Sequence, residues 1–181
     1  QRYAVEVTSH DTAALDFIAG NLPAGAEAFI ANLPAEGTDT LVKAAARLRR
    51  AGLEPVPHIV ARKLRDAAEL DDCLARLAGE AGVERVLALG GDRDRPEGAF
   101  EASLQLIESD LFGRHGIGHV SIACYPEGHP RIPQPELSKA LVAKLAAAAR
   151  RGLQVRLVSQ FAFQSEPILS FVRDLRAAGV A

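Results

Sequence analysis

The chain of 181 residues has no apolar run approaching the roughly 20 positions that cross a bilayer, and its first residues lack the charged-then-apolar pattern of a secretory leader. A cytoplasmic protein with no membrane association is expected. Strong charge of either sign is also missing: 21 basic against 23 acidic side chains leave a net charge of −2, which offers no general attraction to nucleic acid. Two basic clusters, Arg47-Arg49-Arg50 and Arg150-Arg151, are poor in aromatic neighbours and fall at the ends of expected helices, where they suit the helix dipole. Cysteine is scarce. Cys73 and Cys124 stand far apart in no metal-ligand spacing, which argues for two reduced thiols in or near the core and against a metal site. No Ser/Gly/Pro-rich tract divides the chain, so one domain over 1–181 is expected.

What is present is one repeated unit: a short apolar strand, a polar loop and an amphipathic helix that stops at glycine. Nearly continuous apolar runs at 3–8, 26–33, 54–61, 85–90, 119–125 and 153–163 predict parallel strands buried on both faces. Helices are expected near 11–20, 38–51, 66–81, 97–114, 135–151 and 165–178, with Asp11, Thr38, Asp66 and Ser165 as caps and Gly52, Gly82, Gly116, Gly152 and Gly179 as stops. Six such units fit an open doubly wound α/β sheet or most of a (β/α)8 barrel. An open nucleotide-binding sheet usually carries a glycine-rich loop after its first strand, yet here that loop reads Ser9-His10-Asp11, which favours the barrel. A barrel needs about 200 residues or more, so the expected fold is a TIM-type barrel lacking its last two units.

Functional groups on such folds collect where strands end and helices begin. Those positions hold Glu6, Asn32, His58, Asp92, Tyr125, His129 and Gln160. The densest is Tyr125-Pro126-Glu127-Gly128-His129-Pro130, directly after the apolar run Val120 to Cys124. Glu6 interrupts the interior of strand one. Burial there would raise its pKa and suit a general acid, while pairing with a buried Arg or Lys is the plainer reading. Asp92 follows Gly90-Gly91, a double glycine that admits a ligand close to the backbone, or it is simply a turn or capping residue. His58 on an apolar strand reads as a hydrogen-bonded core imidazole or a ligand contact. Gln160, among apolar neighbours, must satisfy both donor and acceptor, from a heterocyclic ligand or from an adjacent strand.

Taken in order, Val5-Glu6-Val7, Glu54-Pro55-Val56-Pro57-His58, Val86 to Asp92, Ala123 to Pro130 and Ser159-Gln160-Phe161-Ala162-Phe163 resemble the methylenetetrahydrofolate reductase family over essentially the whole chain. The resemblance implies a barrel that holds FAD at the carboxyl ends of its strands and passes hydride from NAD(P)H through the flavin to 5,10-methylenetetrahydrofolate, giving 5-methyltetrahydrofolate. Carried over by motif, Glu6 is the general acid that promotes opening of the five-membered ring. Asp92 contacts the pterin and tunes the flavin. Gln160 and Phe163 bind the folate, while Asn32, His58, Gly91, Tyr125 and His129 fall at cofactor-contact positions. The implied partners are tetrahydrofolate derivatives, with no metal, no nucleic acid and self-association left open. Departures accompany the match. Gly90 stands where the family has an Arg, Leu145 to Ala149 is nearly bare of the polar groups that meet FAD phosphates, leaving Lys144, Arg150 and Arg151, and Gln164 stands where an Asp is common. These departures imply looser FAD binding and raise one alternative, hydride transfer straight from nicotinamide to folate; a non-catalytic folate- or flavin-binding protein is another, and Glu6 in a strand interior argues against it.

Overall fold

The computed structural model describes residues 3–180. Six strands form one sheet: β1 (Ala4–Thr8), β2 (Glu27–Ala31), β3 (Glu54–Val60), β4 (Arg85–Leu89), β5 (His119–Cys124) and β6 (Gln154–Ser159), parallel throughout and paired in sequence order. Between and after them lie α1 (Thr12–Asn21), α2 (Thr38–Arg50), a 3-10 turn at Ala61–Lys63, α3 (Ala67–Ala81), α4 (Ser103–Glu108), α5 (Leu111–Arg114), α6 (Gln134–Arg150) and α7 (Ser165–Ala177).

Consecutive strand order decides between the two architectures. A doubly wound sheet reverses its order at a switch point and carries helices on both faces, whereas a barrel adds each strand to the same edge. Here the principal core lies on one side of the sheet, where Ile30, Ile59, Val86, Ala88, Val120 and Ile122 meet Leu41, Leu48, Leu70, Leu74, Leu77 and Leu106 from the helices. The opposite face carries a separate small cluster of Phe29, Val56 and Leu87, with Leu89 and Val158 against it, all from strands. The sheet is thus curled into part of a barrel, and its concave face is bridged near the amino ends, where Arg156 of β6 donates to Glu27 of β2 at 2.7 Å. A cleft of about 240 Å³ at that end is lined by the same two side chains with Arg85 and His119.

Local signals explain most boundaries. Asp11 caps α1 by accepting from the Ala14 N–H at 2.9 Å, and Asp66 caps α3 through the Glu69 N–H at 2.8 Å. Thr38 and Ser165 instead open their helices, with Gly37 and Gln164 at the caps and no side-chain cap bond at either. Gly82 ends α3 in the left-handed region at φ 57°, the backbone state glycine adopts at least cost. Cys73 and Cys124 are buried free thiols, as expected, and burial pushes the Cys73 thiol up to about 11.

Two expectations need correction. The single helix expected over 97–114 is two short ones. Before them, Glu97 and Ala99 donate to the carbonyls of Arg62 and Arg65, and Gln105 Oε1 accepts from the Glu101 and Ala102 N–H groups, so these backbones are committed elsewhere. The last strand stops at Ser159, where its ladder with β5 ends in a bond from the Gln160 N–H to the Cys124 carbonyl at 2.9 Å.

Candidate functional site

At the carboxyl ends of β4, β5 and β6 opens a cavity of about 760 Å³, the size range of small-molecule and cofactor sites. Gly91, Asp92, Tyr125, His129 and Gln160 all line it, so five of the nine expected site residues share one wall. Its far wall is formed by α6 and α7, where Leu137, Leu141 and Phe171 stand among Glu136, Lys144 and Asp174.

Tyr125 and His129 meet edge to face at 5.1 Å. His129 Nδ1 accepts the Arg131 N–H at 3.1 Å, so in the neutral ring the proton sits on Nε2. Burial, with the nearby Asp92 and Cys124 charges, pushes the Tyr125 hydroxyl above its ordinary pKa and keeps it a neutral donor. Asp92 stands almost wholly in solvent, and Arg131 spans to it and to Asp94 at 3.4 Å each. Gly91 holds φ 99°, and a Cβ there would come within 2.6 Å of Val60 Cγ1. This second glycine is therefore required by its own fold as well as available to a ligand. Gly90 by contrast has open space around it.

Glu6 and His58 form a second group on the same concave face. Register places them there: Glu6 pairs with Phe29 and Phe29 with Val56, while His58 pairs with Leu87, Leu87 with Ser121 and Ser121 with Arg156, four residues before Gln160. His58 Nε2 lies 3.8 Å from Glu6 Oε2 and has no hydrogen-bond partner although the ring is buried. Burial pushes its pKa down to about 4, so the imidazole is neutral.

The expected burial of Glu6 is overturned: its side chain is 65% exposed, because the concave face above β1 is open. Gln160 is likewise exposed, not a buried amide. Asn32 borders a smaller cavity of about 220 Å³ with His58, and its Oδ1 accepts from Lys63 Nζ at 2.6 Å. Lys63 also donates to the carbonyls of Leu33 and Glu36, which fixes the loop after β2. Burial pushes the Lys63 pKa down, Glu36 opposing it. Phe163 stands 85% exposed beside Phe161, beyond the cavity wall.

A model described as methylenetetrahydrofolate reductase matches residues 24–181. The chain belongs to that family. Its family-level chemistry is folate-related oxidoreduction in one-carbon metabolism. The curled parallel sheet, with a cavity at the carboxyl ends of its strands, agrees with the fold expected from the resemblance.

Arg131 and Glu127 brace this site without a role drawn from the sequence, and Lys144, expected there only as a remaining partner for FAD phosphates, lines it. Lys144 of α6 faces the cavity from a mixed wall that also carries Leu141, Glu136 and Asp174, with no ion pair or hydrogen bond among the described residues, and burial lowers its pKa. Arg150 and Arg151, its companions in sequence, turn away to Glu108. Arg131 follows the loop motif by one residue and reaches across to the loop after β4. Glu127 of the same motif bonds the loop after β6. Reach across loops is the signal in both cases, and linear spacing does not carry it. Among the described residues no cluster of His, Cys, Asp and Glu could hold a metal, and no helix is long and apolar enough to cross a membrane.

Proposed function

We propose that the chain reduces 5,10-methylenetetrahydrofolate to 5-methyltetrahydrofolate, with FAD as hydride carrier and NAD(P)H as the source. Membership of the family carries this reading, together with a cavity that gathers Gly91, Asp92, Tyr125, His129 and Gln160.

The residues present fit FAD. Tyr125 and His129 offer an aromatic edge and two donors to a flat ring system, the Gly90-Gly91 backbone admits close approach, and Lys144 lines the cavity as a cation with no ion pair among the described residues. When bound, the flavin would supply the hydride relay that protein side chains cannot.

The chain's own groups do the rest. Leu137, Leu141 and Phe171 of α6 and α7 would shield a bound ring system from water, which strengthens the polar contacts beside it. Asp92, whose charge stands free in solvent apart from Arg131, accepts donors from the pterin edge, and Gln160 pairs donor and acceptor with the same heterocycle. Phe163 offers a face for stacking. Glu6 delivers the proton to the departing amine as the methylene bridge opens. It is exposed without ligand, and a substrate seated over the strand ends would cover it, with neutral His58 behind it adding no positive charge.

The test separates the two halves of the reaction. Glu6→Gln, nearly isosteric but unable to donate that proton, is expected to leave nicotinamide oxidation close to wild type and to slow folate turnover roughly 100-fold or more. Equal loss in both halves would make Glu6 a positioning group. The flavin-free reading draws on the missing Arg at Gly90, and folate turnover without flavin would establish it.

A further inference from the structure

Glu127 projects from the loop after β5 but bonds the loop after β6. Its Oε1 accepts from the backbone N–H of Phe163 at 3.1 Å and of Gln164 at 2.7 Å. These N–H groups sit just ahead of α7, whose cap residue Gln164 makes no side-chain cap bond. A helix start leaves donors without partners and carries partial positive charge, so an acceptor carboxylate supplied by another loop is favourable twice over.

The segment so held is short and tied at both ends. At one end the Gln160 N–H donates to the Cys124 carbonyl at 2.9 Å, and at the other Glu127 grips Phe163 and Gln164. Both anchors belong to the end of β5 and the loop that follows it, the loop that also carries Tyr125 and His129. Between them Phe161 and Phe163 form an arch, 77% and 85% exposed, with rings edge to face at 4.8 Å. Two large aromatic rings kept in solvent within three residues of Gln160 are an apolar surface waiting for a flat partner.

We infer that Glu127 is a positioning residue: its carboxylate clamps the Phe161–Phe163 arch so that an aromatic face stands ready for the heterocycle of the folate, and it transfers no proton. The ligand in this assignment rests on the proposed folate reading; the clamp itself rests on the two hydrogen bonds. An exposed acid in the middle of the site loop would otherwise invite an acid–base role, and the two roles part on substitution. An amide oxygen can accept the same two N–H bonds, so Glu127→Gln preserves a clamp and abolishes a proton donor, while Glu127→Ala removes both.

Amide hydrogen exchange and steady-state kinetics of the two variants test this together. In Glu127→Ala, exchange at Phe163 and Gln164 is expected to quicken roughly threefold to tenfold, the scale of one lost hydrogen bond. KM for 5,10-methylenetetrahydrofolate should rise about fivefold or more with kcat little changed, the mark of binding shared by ground and transition states. Glu127→Gln should restore both to near wild type, with melting temperatures of both variants close to that of the parent. A Gln variant whose exchange is restored but whose kcat falls well below wild type would overturn the inference in favour of proton or charge chemistry. Unchanged exchange in the Ala variant would overturn the clamp. If the wild-type protein itself neither binds nor turns over the folate, the folate reading falls, and the exchange result still decides the clamp.

Discussion

His58 is buried to 7% exposure with Nε2 unbonded, and its pKa is pushed down to about 4 from an ordinary 6.5. Between those two values the unfolded chain binds the proton and the folded one does not, so stability falls as pH drops through that window and levels off below it. The shift corresponds to at most about 3 kcal/mol, reduced by whatever Glu6 contributes from 3.8 Å through solvent. Replacing His58 with Asn should flatten that part of the profile, which urea denaturation at pH 7 and pH 4 would reveal. An unchanged pH dependence would mean that the ring protonates freely in the fold. At this scale the site was partly legible. Tyr125, His129, Asp92 and Gln160 stand out by position at strand ends and Gly91 by the family resemblance, and the cavity gathers them. The environment of Glu6 was not, because a period of two tells which face a side chain shares but not what covers that face. Glu6 looked dry among Val5 and Val7, yet it stands on the open concave side. Gln160 misled in the same way.

Among the elements, the segment between β4 and α4 shows where periodicity fails. Residues 97–114 carry enough apolar spacing for a helix, but Gly98 lies against the backbone of Arg65 so closely that a Cβ would stand 1.8 Å from its carbonyl oxygen. Tertiary contact overrides propensity there. Gly98→Ala should therefore cost about 1–3 kcal/mol and speed exchange of the Glu97 and Ala99 amides, which donate to Arg62 and Arg65. Wild-type stability in that variant would show that the two segments are free to part. The other helices and the first five strands follow their patterns to within a few residues, since capping Asp and stopping Gly act locally, while the sixth strand ends four residues early at Ser159. The neighbouring Gly90 gives the opposite expectation: it has open space and lines the cavity, so Gly90→Arg is tolerated and should tighten flavin retention through dialysis, the guanidinium adding charge-assisted contacts. Unaltered retention would place the flavin phosphates or ribityl chain out of its reach.

For the whole molecule, consecutive parallel pairing with helices on one side makes a curled barrel wall whose principal core lies outside the curve. The concave side holds a small apolar cluster, a charged bridge from Arg156 to Glu27 at its floor and polar groups at its mouth. That division puts stability on the convex side and leaves the strand ends free for chemistry. Fold class was legible because most strand runs are nearly continuously apolar and every crossover is helical; the bridge between β2 and β6 was not, since curvature alone brings residues 129 positions apart together. The central claim is that this mouth relays hydride through a flavin to the folate. Its most direct measurement is the visible spectrum of the FAD-loaded protein, kept without oxygen, on adding NADH and then 5,10-methylenetetrahydrofolate. The oxidised-flavin band is expected to bleach with NADH and to return with the folate, 5-methyltetrahydrofolate forming in equal amount. Folate reduction with no flavin band at saturating FAD, or a bleached flavin that the folate never reoxidises, would contradict it.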